Sequence, residues 1–167
     1  MRASGIPAGV REYSMALSAL GGAGRLDDGL QLLRQMQSEG VTPNKFTYSA
    51  LMEACIVGKQ PYTALPVFEQ MELQGIEPDT VTYTLLVRAL TAPPYLEAQM
   101  RRARATLGTM VAKGGSAAPN VVAYNSLLEA YVGSGKRRLA LHLIEEMLRD
   151  RISPTRLTFA ILAAPPP

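Results

Sequence analysis

The sequence predicts an all-α protein built from stacked pairs of helices, and two ladders of recurring residues carry this prediction. The aromatic ladder has gaps of 35, 35, 41 and 35 residues, at Tyr13, Tyr48, Tyr83, Tyr124 and Phe159. The methionine ladder runs in phase with it, at Met1, Met36, Met71, Met110 and Met147. A fixed period of this length is typical of repeat proteins, in which each unit buries its apolar face against neighbouring units.

The first helix of each repeat carries the aromatic residue. In the second repeat the spacing of one helical face is apolar, at Tyr48, Leu51, Met52 and Cys55. Six residues after the aromatic residue stands an alanine, at Ala19, Ala54, Ala89 and Ala130. Glycine-bearing segments then end the helix, at 21–24, 58–60 and 133–135. We expect these glycines to adopt the left-handed conformation that side chains disfavour.

The second helix ends at the methionine. Seven residues before each methionine stands a small residue, at Gly29, Ala64, Ala103 and Ala140. Three residues before it stands a large apolar one, at Leu33, Phe68, Leu107 and Ile144. Because a small residue on one turn and a large one on the next allow helices to approach closely and interlock, we interpret both sets as packing residues.

A proline stops the helix near the end of each repeat, at Pro43, Pro78, Pro119 and Pro154. The predicted repeats are 10–44, 45–79, 80–120 and 121–155, flanked by partial repeats at 1–9 and 156–163 and a tail at 164–167. The third repeat has extra residues around 91–94 and 114–116, which we expect to form surface loops. Because Met1 already belongs to the methionine ladder, we expect the chain to be part of a longer array, or its start codon to have been placed internally.

Composition restricts the function. The 17 basic and 14 acidic residues give a net charge of +3, which permits an anionic partner without requiring one. Cys55 is the only cysteine and His142 the only histidine, so a cysteine-based zinc site and a histidine-rich metal site are excluded. We expect Cys55 to be a buried, inert thiol and His142 to be an ordinary helix-surface residue.

No motif in the sequence predicts catalysis, a metal site or a cofactor. The sequence lacks a zinc deaminase signature, a glycine-rich phosphate loop and an acidic cluster suited to two-metal chemistry. Glu53, Glu145 and Glu146 are interpreted as ordinary surface charge. No apolar stretch approaches the roughly 18 residues that a membrane span needs, so no membrane partner is expected.

Several motifs together resemble the pentatricopeptide repeat family. They are the T-Y step at Thr47-Tyr48 and Thr82-Tyr83, the G-R-L sequence at 24–26, and the M-x-x-x-G-I-x-P-D sequence at 71–79. The resemblance extends over residues 1–163 and implies a right-handed α-solenoid that binds single-stranded RNA, one base per repeat. The tetratricopeptide repeat is a weaker match, because its characteristic tryptophan is absent here.

The resemblance assigns base recognition to two polar residues per repeat. The first follows the aromatic residue, at Ser14, Ser49, Thr84 and Asn125, and the second ends the repeat, at Asn44, Asp79, Asn120 and Thr155. The second set also stands where helix N-caps are ordinary, so capping is an alternative role. The residue two before the aromatic would stack on the base, at Arg11, Phe46, Val81 and Val122. Arg11 departs from the family's apolar pattern, although a guanidinium plane can stack.

By the same resemblance the four residue pairs imply a base sequence. The pairs are Ser14 with Asn44 for adenine, Ser49 with Asp79 for guanine, Thr84 with Asn120 for adenine, and Asn125 with Thr155 for a pyrimidine. The choice between cytosine and uracil in the fourth repeat stays open. Because family arrays run parallel to the RNA, the expected core is 5′-A-G-A-Y-3′.

One departure from the family concerns phosphate contacts. The family's lysine near the end of the first helix is absent, since Gly22, Val57, Ala92 and Gly133 occupy those places. Few phosphate contacts imply weak binding with a shallow salt dependence. The basic residues Arg101, Arg102 and Arg104, and those at 136–138, are interpreted as solvated charges on second helices.

Two function classes follow from these features. One is sequence-selective RNA binding in organellar RNA processing, stability or translation, in chloroplast or mitochondrion by family resemblance. A nuclease or editing domain outside this chain is a further partner that the resemblance implies. The alternative is a protein-binding scaffold that holds a peptide in a concave groove, which the low net charge and the missing lysines favour.

Overall fold

The protein is described by a computed structural model that covers residues 9–165. These residues form nine α-helices and no β-strand, so the chain is an all-α helical repeat, as the sequence predicts. They divide into two units between Glu77 and Pro78. Residues 1–8 of the first predicted partial repeat, including Met1, and residues 166–167 of the predicted tail lie outside the described residues.

The first unit contains two pairs of helices. They are α1 (Val10–Gly22), α2 (Leu26–Ser38), α3 (Lys45–Val57) and α4 (Ala64–Leu73), with a 3-10 helix at Pro61–Thr63 leading into α4. Helices α1 and α3 pack side by side, and α2 contacts both of them, while α4 packs on α3. The first helices of successive repeats are therefore direct neighbours within this unit.

The second unit repeats the arrangement and extends it by one helix. It contains α5 (Thr80–Leu90), α6 (Glu97–Lys113), α7 (Val121–Gly133), α8 (Arg137–Arg149) and α9 (Arg156–Ala163), with a 3-10 helix at Gly115–Ala117. Helix α7 packs against α5 on one side and α9 on the other, and α6 contacts both α5 and α7. No helix in residues 9–165 is long and apolar enough to span a bilayer.

Both ladders lie in the core, except at the last aromatic position. The buried members, each at most 4% exposed, are Tyr13, Tyr48, Tyr83, Tyr124, Met36, Met71, Met110 and Met147. Phe159 is instead 58% exposed, because α9 is not followed by a second helix within the described residues. Cys55 is fully buried, and burial raises the pKa of its thiol, which agrees with an inert packing role.

Two of the buried tyrosines, Tyr83 and Tyr124, also contact the charged residue that lies three positions after the methionine of the same repeat. Tyr124 donates its hydroxyl to Asp150, and burial together with this hydrogen bond raises the pKa of Tyr124. The ammonium of Lys113 lies 5.5 Å from the centre of the Tyr83 ring, within range of a cation–π interaction. These contacts connect the middle of a first helix to the end of the second helix in the same repeat.

One turn departs from the glycine prediction. Gly24 and Gly135 have φ values of +67° and +75°, as expected, but in the second repeat Lys59 (φ 58°) is the left-handed residue instead of Gly58. Gly58 is required for a different reason, because a Cβ there would lie 2.6 Å from the carbonyl oxygen of Gly24. This glycine therefore permits the close approach of two backbones.

The extra residues of the third repeat do more than form surface loops. Residues 93–94 are exposed, as expected. Tyr95, however, turns against the end of α7, where its ring would lie 2.4 Å from a Cβ placed on Gly133. The second insertion is held by Thr80, whose hydroxyl donates to the carbonyl oxygen of Ala118 at 2.7 Å. Both insertions are thus anchored to first helices.

One acidic residue was assigned wrongly from the sequence. Arg101 and Arg102 are exposed, in agreement with a solvated face. Arg104 instead donates to Glu146 at 2.5 Å, and the Glu146 side chain is only 15% exposed. The interpretation of Glu146 as ordinary surface charge is therefore wrong, since it links α6 to α8. His142 is 58% exposed on the helix surface, 3.2 Å from the same carboxylate.

The contact between the turns of the first unit predicts the effect of a single methyl group. Gly58→Ala should lower the free energy of unfolding by about 1–3 kcal/mol, because the new Cβ would collide with backbone that cannot move independently. Urea unfolding followed by circular dichroism measures this. Gly22→Ala is the matched control, since a Cβ at Gly22 meets nothing within 4 Å. Equal stability of the two variants would show that the close approach is absent.

Candidate nucleic-acid interface

Three of the four predicted repeat-ending residues cap the first helix that follows them. In each, Oδ1 accepts a hydrogen bond from the backbone N–H three residues on, at 3.1, 3.1 and 2.9 Å for Asn44, Asp79 and Asn120. Such caps satisfy N–H groups that the first turn of a helix leaves unpaired. The structure therefore shows the capping role that the sequence left open for these residues. The Nδ2 groups of Asn44 and Asn120 are not used by the caps.

Buried threonines complete the caps, and sequence analysis missed them as part of the site. Each is 0% exposed, and its hydroxyl accepts from the backbone N–H of the repeat-ending residue, at 3.2, 2.8 and 3.0 Å for Thr47, Thr82 and Thr158. The available signal was the threonine that precedes the aromatic residue. In the fourth repeat Ala123 occupies this place and supplies no hydroxyl.

The residue after the aromatic lies one turn further into the first helix. Ser49 donates its hydroxyl to the carbonyl oxygen of Lys45 at 2.9 Å, and Thr84 donates to that of Thr80 at 2.6 Å. A hydroxyl has one proton, so these two side chains have only acceptor capacity left for a ligand. The buried hydroxyl oxygen of Ser14 has no hydrogen-bond partner in the described part of the chain.

The structure brings two of the predicted pairs together. Oγ1 of Thr84 lies 3.4 Å from Oδ1 of Asn120. Asn125 is connected to Thr155 through Thr158, whose hydroxyl oxygen lies 2.8 Å from Asn125 Oδ1 and 3.3 Å from Thr155 Oγ1. Polar groups from two successive first helices therefore meet in the second unit.

The pair predicted for the first repeat is not joined in this way. Within residues 9–165 no hydrogen bond joins the side chains of Ser14 and Asn44. Ser49 belongs to the first unit and Asp79 to the second, so each is described only within its own unit.

The four predicted stacking residues are all exposed. The exposed fractions of Phe46, Val81 and Val122 are 69, 56 and 46%, and Arg11 is exposed as well. Single apolar side chains at the surface are common, so what distinguishes these residues is their regular spacing relative to the polar pairs. Here they stand three residues before the residues predicted to read the base.

A cavity of about 240 Å³ between α7 and α9 contains the predicted fourth site. Its lining includes Val122, Asn125 and Thr155, together with Leu157 on α9. Leu157 is 61% exposed and stands two residues before Phe159. It therefore occupies the position predicted for stacking in the partial repeat that follows. Two apolar side chains and one polar pair thus line the same space. Sequence analysis missed Leu157, although the ladder spacing could have identified it.

A second cavity of about 420 Å³ adjoins the first along α9. The two share Glu129, Leu157 and Ile161, and Tyr95 and Gly133 line the far end of the second cavity. Burial, followed by the negative charge of Glu129, raises the pKa of Tyr95. The ring of Tyr95, from the insertion, therefore covers Gly133, which is one of the four positions where the lysine expected from the family resemblance is absent.

The fold and these positions define the class of protein. It is an α-helical repeat protein in which Asn44, Asp79 and Asn120 cap first helices and apolar side chains are exposed near the starts of those helices. Residues 9–165 hold no cluster of three or more His, Cys, Asp or Glu side chains suited to a metal. A model of the PPR repeat family matches residues 10–57 and 119–163, and a PPR repeat model matches residues 46–76. The chain belongs to the pentatricopeptide repeat family.

Known proteins of the family show where the similarity lies. Over 44 residues the chain is 46% identical to a pentatricopeptide repeat-containing protein of Arabidopsis thaliana, covering 26% of this chain and 8% of that protein. Its structure is similar to that of PPR10, a maize protein, in complex with an 18-nucleotide psaJ RNA element. The TM-score is 0.78 at 28% identity, over 96% of this chain and 23% of PPR10.

A third similarity concerns the fold alone. The PPR domain of protein-only RNase P 1 from Arabidopsis thaliana, solved in complex with tRNA, has a TM-score of 0.78 at 19% identity. It covers 92% of this chain and 78% of that domain. The chain spans less than a quarter of PPR10 and less than a tenth of the Arabidopsis repeat-containing protein.

The caps make a prediction about stability. Asn44→Ala should lower the free energy of unfolding by about 1 kcal/mol, because the N–H of Thr47 loses its acceptor. Asn44→Asp keeps a side-chain oxygen in the same place and should retain most of the stability. Urea unfolding of the two variants measures the difference, and equal losses in both would show that the cap is not the relevant interaction.

Proposed function

We propose that this chain binds single-stranded RNA sequence-selectively, one base per repeat, with the core 5′-A-G-A-Y-3′. The cavity between α7 and α9 carries the proposal, because Val122 and Leu157 offer apolar surfaces for the faces of a base, and Asn125 and Thr155 offer polar groups for its edge. Stacking on side chains combined with hydrogen bonds to the base edge is the general mode of single-strand recognition. The similarity to PPR10 in complex with RNA supports the same ligand class.

The direction of the hydrogen bonds agrees with the proposed purines in the second and third repeats. The hydroxyls of Ser49 and Thr84 donate to helix carbonyls and face a ligand as acceptors. Adenine and guanine both present N–H donors on the Watson–Crick edge, which suit such acceptors. The carboxylate of Asp79 adds a further acceptor for the two donor groups of guanine, whereas the Nδ2 of Asn120 can donate to the N1 acceptor of adenine.

The charge distribution defines the expected strength of binding. The net charge is +3, and Gly22, Val57, Ala92 and Gly133 supply no cation near the ends of the first helices. Binding therefore depends on stacking and edge contacts more than on phosphate neutralisation, and its salt dependence is shallow. We place this activity in the processing, stability or translation of a chloroplast or mitochondrial transcript, with any nuclease or editing activity supplied by a domain outside these residues.

The first test compares two tetramers placed in an otherwise neutral single strand. The core 5′-A-G-A-Y-3′ should bind at least about tenfold more tightly than 5′-U-U-C-R-3′, because mismatched edges leave polar groups unpaired. Filter binding at low and high salt, with random single-stranded RNA as reference, measures both affinity and salt slope. Equal affinities would refute the base assignment. Failure to bind any RNA at low salt would refute the function and favour a peptide-binding scaffold.

The second test changes one base preference without removing a helix cap. Asn120→Asp keeps the capping oxygen but replaces the amide donor by an acceptor, so the preferred third base should change from adenine to guanine, with a change in relative affinity of about tenfold. Asn44→Asp is the matched variant and should change the first base only. Competition binding with 5′-A-G-G-Y-3′ and 5′-G-G-A-Y-3′ distinguishes them. If both variants changed their preference at the same base, or if neither variant changed its preference, recognition of one base per repeat would be contradicted.

A further inference from the structure

We infer that Thr158, in the partial repeat that follows the fourth, is a positioning residue that sets base selectivity in the fourth repeat. The inference rests on the proposed function and deepens it for this one nucleotide. Thr158 is 0% exposed on α9, and its hydroxyl reaches across to Asn125 on the neighbouring α7. It does not line the cavity that would hold the base. Its effect therefore acts through Asn125.

The direction of the hydrogen bonds follows from the number of protons available. Asn125 Oδ1 is a carbonyl oxygen and can only accept, so the single hydroxyl proton of Thr158 is donated to it at 2.8 Å. The oxygen of Thr158 in turn accepts from the backbone N–H of Thr155 at 3.0 Å. Because this threonine is anchored by the helix cap, the carboxamide of Asn125 is held by its oxygen in one orientation.

The fixed orientation determines what Asn125 offers to a base. With Oδ1 bound to Thr158, the Nδ2 group remains for the cavity that Asn125 lines, and it presents donors only. Cytosine and uracil each present two acceptors on the Watson–Crick edge, O2 with N3 or O4, whereas adenine and guanine present one each, so a fixed donor favours pyrimidines. A carboxamide turned by half a rotation would present an acceptor instead and would lose this advantage. Thr158 prevents that rotation and so maintains the preference for pyrimidines.

Among the contacts that residues 9–165 make within each unit, this one is found only at the end of the second unit. In the first unit Thr47 holds the equivalent cap position, yet the hydroxyl oxygen of Ser14 on the preceding first helix has no partner in the described part of the chain. In the fourth repeat the residue equivalent to Thr158 is Ala123, which has no hydroxyl. Thr84 on the preceding first helix therefore lies near the cap residue Asn120 rather than near a threonine. Base selectivity in the fourth repeat thus depends on a side chain that belongs to the next repeat.

The experiment measures dissociation constants for four RNAs that differ only in the last base of the core, 5′-A-G-A-N-3′. Wild type should prefer both pyrimidines. Thr158→Val removes the hydroxyl at nearly constant volume and should lower the pyrimidine-over-purine ratio by about fivefold or more, chiefly by tighter binding of purines. Thr158→Ser restores the donor and should keep the wild-type ratio.

A matched control separates base positioning from helix capping. Thr82→Val removes an equivalent cap hydrogen bond, 2.8 Å from the backbone nitrogen of Asp79, and should leave the ratio at the fourth base unchanged. A Thr158→Val protein that binds with the wild-type ratio would overturn the inference while leaving RNA binding intact. A wild-type protein that binds RNA without a pyrimidine preference at this base overturns the fourth-repeat assignment, and one that binds no RNA overturns the proposed function.

A measurement on the unmodified protein keeps the test independent of variant folding. In nuclear magnetic resonance spectra the hydroxyl proton of Thr158 should exchange slowly and show a nuclear Overhauser effect to Asn125, because it is buried in a hydrogen bond. Rapid exchange of this proton, or an Asn125 amide that interconverts between two orientations, would overturn the inference without any substitution.

Discussion

The structure depends on the close packing of successive first helices, which the two ladders of buried residues make possible. Within the first unit α1 lies against α3, and within the second α7 lies against both α5 and α9. Small residues such as Gly29 and Ala103 let the second helices approach, and buried methionines fill the remaining space. Since no helical pair buries its apolar face alone, neighbouring repeats within a unit stabilise one another, and α9 supplies the far wall of the cavity beside α7.

The start of each first helix combines structural and functional demands. The oxygen of a repeat-ending residue such as Asn120 closes the helix cap, while its nitrogen is left for a ligand. A buried threonine such as Thr82 supports the cap from the third position of the helix. The same few atoms therefore anchor the helix and fix the direction of its polar groups, so under the proposed function the hydrogen-bonding pattern is rigid before a base binds.

Much of the fold could be predicted from the sequence, because a packing ladder repeats within one chain and needs no knowledge of the partner helix. The features that escaped prediction depend on two segments meeting. A glycine is required at position 58 because the backbone of Gly24 lies against it. The Glu146 side chain is largely shielded from solvent where Arg104 binds it. The ring of Tyr95 covers Gly133 because the insertion packs against the end of α7. Leu157 followed the ladder spacing but lay in a partial repeat. Spacing along the chain carries no information on such pairings.

The two roles proposed for the capping residue, helix capping through its oxygen and base recognition, limit how this kind of protein can diversify. A residue that must begin a helix is drawn from a short list, mainly asparagine, aspartate, serine and threonine. Any change of nucleotide preference at that position is therefore restricted to the residue types that can cap a helix. New targets would then evolve by exchange among a few side chains, each of which preserves the helix cap while changing the base that the repeat recognises.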